Sequence, residues 1–138
     1  MLNRLISSST GGIGGGGTLA EIYADTTDDN YGIGEGLTFF STAEDNIAIG
    51  ENALNSTTGV AVSNIAIGTS ALTANETGDD NIAIGQNASD GMTAAGGTVA
   101  IGTGALGGAA TQTGTVAIGM SALRVLTSGA KNIAIGYN

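Results

Sequence analysis

Asp25, Asp28, Asp29 and Asn30 crowd three carboxylates and one amide into the six residues "DTTDDN". Oxygen donors of this kind suit calcium, a hard cation that takes carboxylate and carbonyl ligands. The spacing departs from the EF-hand pattern, and a solvated acidic turn is the better reading of the same residues. A second stretch, "GGIGGGG" at residues 11–17, has the glycines of a phosphate loop. It lacks the GK[ST] ending and a strand ahead of it. It also lacks the aspartate of the glycine-rich calcium nonapeptides. No cofactor is expected.

The remaining chemistry is excluded by residue type. The chain contains no histidine and no cysteine. Nucleophile–base pairs built on them are therefore out of reach, as are zinc sites of the usual ligands. Paired carboxylates for glycoside hydrolysis cannot be placed at any working distance. Enzymatic activity is not expected.

Charge narrows the partners. The net charge is −9, and all twelve acids fall between Glu21 and Asp90, while residues 91–138 carry only Arg124 and Lys131. Nucleic acid binding needs a basic footprint, which is missing. The acids instead keep a glycine-rich surface soluble. No apolar run approaches the length of a membrane span. The opening "MLNRLISSSTGGIGGGG" has one arginine but no continuous apolar segment, so it does not read as a secretory signal.

What organises the chain is repetition. "NIAIG" begins at Asn46, Asn64, Asn81 and Asn132, and "TVAIG" begins at Thr98 and Thr115. The intervals are 18, 17, 17, 17 and 17 residues, too regular for chance. One column reads Ile47, Ile65, Ile82, Val99, Val116, Ile133, and another Ile49, Ile67, Ile84, Ile101, Ile118, Ile135. Between them runs Ala48, Ala66, Ala83, Ala100, Ala117, Ala134, and after them Gly50, Gly68, Gly85, Gly102, Gly119, Gly136. A later alanine column (Ala53, Ala71, Ala88, Ala105, Ala122) is followed by leucine in four copies and by Ser89 in the third.

Alternation in Ile-Ala-Ile sets the branched residues on one face of a strand and alanine on the other. β-Branched density favours strand over helix. The glycine then supplies a sharp corner, and a second short strand is expected around Ala53-Leu54. Each copy is thus one coil of an all-β solenoid, with like residues stacked about 4.8 Å apart. The absence of proline fits a chain whose backbone N–H groups serve the stack. The asparagine or threonine heading each strand is expected to form a hydrogen-bonded ladder.

On this reading residues 1–20 form a docking tail and glycine leash, 21–45 a neck or cap, and 46–138 the six-copy array. Leu2, Leu5 and Ile6 lie on one side of a single helical turn and are the candidate docking residues. "NYGIGEGL" at Asn30–Leu37 reads as a decayed seventh copy, and Phe39 and Phe40 join it in the neck. The Ile and Val columns are expected to fill the roll core. A 17-residue coil encloses little, so burial against partners is expected as well. The strand alanines, small enough to let another backbone approach, are the expected contact between chains. The open last coil, ending at Tyr137 and Asn138, is an unpaired edge and a candidate contact tip. That edge also admits a self-assembling filament.

"NIAIGENAL", "NIAIGTSAL", "TVAIGTGAL" and "TVAIGMSAL" resemble the head repeats of trimeric autotransporter adhesins of the YadA type, and the same repeat occurs in phage tail-fibre and head-fibre proteins. The resemblance covers residues 46–138 and extends faintly over 30–45. It implies a homotrimer of left-handed parallel β-rolls with the strand alanines toward the threefold axis. The adhesins carry an export signal, a heptad stalk and a membrane barrel, none of which is visible in these 138 residues. The resemblance therefore points to a virion component: a short tail fibre or capsid head fibre, held to a capsid or tail protein by its N-terminus. Such a fibre would present the roll to a host receptor or glycan. The alternatives are a YadA-like adhesin head at the cell surface and an extracellular β-solenoid filament.

Overall fold

A computed structural model describes residues 21–25, 28–37, 43–55, 60–108 and 113–138. The docking residues Leu2, Leu5 and Ile6, the glycine leash and Phe39–Phe40 lie outside these. Eight strands follow in chain order: β1 (Glu21–Asp25), β2 (Asn30–Gly34), β3 (Ile47–Ile49), β4 (Ile65–Ile67), β5 (Ile82–Ile84), β6 (Val99–Ile101), β7 (Val116–Ile118) and β8 (Ile133–Ile135). They form one sheet in that same order.

From β2 to β8 every pairing is parallel, and the repeat sets the register. Ala48 faces Ala66, Ala66 faces Ala83, and so on to Ala134. Each strand returns to its neighbour after one coil of about 17 residues, so the chain is a parallel β-solenoid. The degenerate copy belongs to the stack, since Tyr31, Gly32 and Ile33 pair with Ile47, Ala48 and Ile49. β1, for which the sequence offers no repeat signal, pairs antiparallel with β2 and covers that edge of the sheet.

The expected second strand is absent. Gly50 to Leu54 form a turn, in which Ala53 N–H donates to Gly50 O at 3.3 Å. The leucine column adopts left-handed backbone, with φ of 48° at Leu54, 52° at Leu72 and 51° at Leu106. Leucine in this region costs roughly 1–2 kcal/mol each. Stacking offsets the cost, because Leu54, Leu72 and Leu106 donate their N–H to Ala71, Ala88 and Ala122 of the next coil. Both straight and bent parts of each coil are therefore tied to their neighbours by backbone hydrogen bonds.

The interior is built from alanine, and this reverses the expected faces. Ala48, Ala66, Ala83, Ala100 and Ala117 have 0% of their surface exposed, as do Ala53, Ala71, Ala88 and Ala105. Leu54, Leu72, Leu106 and Met92 complete the core. The twelve residues expected to fill it stand outside: Ile47, Ile49, Ile65, Ile67, Ile82, Ile84, Val99, Ile101, Val116, Ile118, Ile133 and Ile135. Ile47 and Ile49 are each 38% exposed, and Ile135 is 75% exposed. The strand alanines form one buried cluster with the alanines and leucines of the turn, and the side chains on the other face of each strand stand outside that cluster.

The alanines cannot then be the contact between chains. Ala48, Ala66, Ala83, Ala100 and Ala117 have no surface left to bury against a second chain, and Ala134, in the last coil, is half-buried on the same inner face.

Corner glycines set the closeness of the coils. Gly50, Gly68, Gly85, Gly102, Gly119 and Gly136 have φ between 125° and 142°. A Cβ on Gly102 would lie 2.6 Å from the backbone carbon of Gly119, whereas one on Gly136 would meet nothing within 4 Å. Gly102→Ala is expected to lower stability by more than about 4 kcal/mol. Gly136→Ala carries only the backbone cost of about 1–3 kcal/mol. Urea unfolding followed by circular dichroism distinguishes the two.

Candidate interaction surfaces

Two ladders run the length of the solenoid, one polar and inside, one apolar and outside. The inner one starts at Asn30, whose Oδ1 accepts from Asn46 N at 3.0 Å and from Asn46 Nδ2 at 2.9 Å. Asn64 repeats both bonds to Asn46, and Asn81 repeats both to Asn64. Thr98 continues with its N–H and its Oγ1 on Asn81 Oδ1, the latter at 2.7 Å. The amides also reach across each coil, with Asn46 donating to Ala61 O, Asn64 to Gly78 O and Asn81 to Ala95 O. Asn46, Asn64, Asn81 and Thr115 have no exposed surface.

Burial of polar side chains on this scale is stable only when each is satisfied, which the ladder achieves rung by rung. The ladder thus joins strand to return loop and coil to coil. It also removes Asn30 from the candidate calcium set, because its amide oxygen is engaged by Asn46. Asp28 is half-buried and Asp29 exposed. Among the described residues, no group of three or more potential ligands is placed to hold a metal ion.

The outer ladder is the Ile and Val stripe. From β2 to β8 each strand adds two side chains to it, beginning with Tyr31 and Ile33 and ending with Ile133 and Ile135. Parallel in-register pairing stacks like on like, so the stripe is continuous. A contiguous apolar stripe of this length is what protein–protein contact surfaces look like.

At the far end Tyr137 is 75% exposed, and Asn138 N–H donates to Met120 O at 3.0 Å. Both residues border a cavity of about 490 Å³, whose other wall is the 121–126 loop. Ala134, Ile135 and Gly136 of the last coil line it as well.

Asp90 is the notable charge. Burial pushes its carboxyl above the ordinary aspartate range, against the pull of the Asp90 and Gly91 backbone N–H groups and of Arg124. A carboxyl raised in the folded state destabilises the fold while ionised, and that cost disappears as pH falls and the proton returns. Asp90→Asn is therefore expected to raise Tm at neutral pH, with the gain lost below the ordinary value of 3.8. Thermal melts of both proteins across that range check the sign.

No protein-family model, curated protein or solved structure matches the chain. The fold stands on its own geometry, a parallel β-solenoid. Among the described residues no helix is long and apolar enough to cross a membrane.

The inner ladder yields a direct test. Asn64→Ala leaves Asn81 N without an acceptor in a dry interior, while Gly78 O keeps Asn75 Nδ2 as a donor, a loss of about 1–3 kcal/mol. Asn64→Thr is expected to cost less, because threonine occupies the same column at Thr98 and Thr115. Chemical denaturation gives both values.

Proposed function

We propose that this chain is a structural protein of a virion, a short homotrimeric fibre without catalytic activity. One observation carries the reading: the largest aliphatic side chains of the repeat form a continuous stripe on the outside of a solenoid whose own interior is closed by alanine. Three such stripes brought together about an axis bury against one another what a single chain leaves half-exposed. This supplies a core that the thin coil cannot supply alone. The similarity of the repeat to trimeric fibre and adhesin heads supports three chains rather than two, with isoleucine and valine where alanine was expected at the axis.

In the fibre, residues 1–20 anchor to a capsid or tail protein, and the roll is held outward for host attachment. A rod held by backbone hydrogen bonds along its whole length suits that task, since it transmits position without a flexible joint. The virion, not the cell surface, is its proposed location.

Light scattering on the intact chain is expected to give three times 13.3 kDa. Ile67→Asp combined with Ile101→Asp should break the species into single chains, because each aspartate would have to be desolvated at the stripe. A wild-type mass of one chain refutes the trimer. Antibodies against residues 46–138 should decorate phage particles in negative stain. Labelling of bacterial surfaces instead would replace the virion reading by that of an adhesin.

A further inference from the structure

One coil of the repeat loses two side chains on the turn side. Two residues beyond the corner glycine stand Asn52, Ser70, Asn87, Gly104 and Ser121 in successive coils. Five residues beyond it stand Asn55, Thr73, Asp90, Gly107 and Arg124. Only one coil lacks a side chain at both positions, so Gly104 and Gly107 leave a gap one coil tall between two fully dressed neighbours. The gap is a cavity of about 260 Å³. Its floor is the two glycines. Asn87 and Asp90 form one wall, Ser121 and Arg124 the other, with Thr103 and Met120 at the lip.

From this we infer that the notch is a binding site for one neutral sugar unit of a glycan. The walls offer what a polyhydroxylated ring needs, since each hydroxyl is donor and acceptor at once. Asp90 accepts, Arg124 donates, and Asn87, Ser121 and Thr103 do both. The apolar face of the ring can lie on Met120, which is 47% exposed. One acid and one base on opposite walls leave the notch without net charge, which disfavours phosphates and polyamines alike. Asp90 Oδ1 lies 3.2 Å from where a Gly107 Cβ would sit, and Arg124 Cδ lies 3.8 Å from the Gly104 counterpart. Both charged groups therefore lean over the bare floor. Keeping a half-desolvated carboxylate there costs stability, as binding sites commonly do.

The site is independent of the fibre reading, because it lies past the corner and off the isoleucine stripe; sugar binding and chain number are measured separately. The intact chain is titrated with glucose, galactose, mannose and N-acetylglucosamine by calorimetry and saturation-transfer NMR, with glycine as a zwitterionic control. At least one sugar is expected to saturate with a Kd of about 1 mM. Gly104→Asn refills the notch in a column where Asn52 and Asn87 already adopt φ of 54° and 56°, so the fold tolerates it. This variant should weaken binding at least about tenfold with an unchanged melt. Asp90→Asn, which keeps the side-chain shape, should weaken it as well. No saturable sugar, binding of glycine alone, or equal affinity in both variants would overturn the assignment.

Discussion

The closeness of backbone to backbone governs this molecule. Successive corners stack so tightly that the position a Cβ would take on Gly85 is already held by Gly102, at 2.6 Å. Across the coil, the strand contributes only methyl groups to the buried cluster, and the turn contributes alanine and leucine. Everything else follows from that lack of space. Alanine lines the inner face of each strand, against the alanines and leucines of the turn, and isoleucine lies outside because alternation along a three-residue strand sends its neighbours the other way. A fold normally hides its most apolar residues from water within one chain. Here it displays them in a line, and association is the natural means of covering them.

Polar groups are correspondingly drawn inward. A core of methyl groups provides little hydrophobic stabilisation per coil, since the effect scales with the apolar area removed from water. The asparagine ladder fills the same narrow interior with directional bonds. The amide oxygens of Asn46 and Asn64 each take two N–H groups from the next coil, and the Asn64 amide nitrogen reaches back to Asn46 and across to the return loop. Such a ladder specifies register strongly: a slip of one residue would place isoleucine against the turn and leave the amides in water.

Departures from the repeat locate the features that differ along the rod. Ser89 stands where four coils have leucine, and its Oγ is buried without a hydrogen-bond partner. Met92, wholly buried in the same coil, belongs to the core cluster, its sulfur 3.6 Å from Thr98 Oγ1. A flexible side chain from a neighbouring position thus supplies apolar volume to the coil that lacks its leucine. Gly104 and Gly107 have no such compensation from their own coil, so the surface there stays notched. A regular stack makes any irregularity conspicuous, and the two lie on adjacent coils.

The periodicity of "NIAIG" and "TVAIG" alone determined that the chain is a stack of parallel coils, which strands pair, and in what register. It even placed "NYGIG" in the stack, because hydrogen-bonded pairing depends on backbone spacing and tolerates a changed side chain. The asparagine ladder was legible for the same reason: identical residues at a fixed interval meet when coils stack. Which face of the strand turns inward was decided only by the tertiary structure. Hydropathy ranks isoleucine above alanine for burial, but it contains no term for the width of the cavity to be filled. One clue was present, since Asn46 and Ala48 share a strand face and an amide ladder needs shelter from water to hold. The notch was equally hidden, because glycines at 104 and 107 become a cavity only when the coils on either side bring Asp90 and Arg124 to its walls.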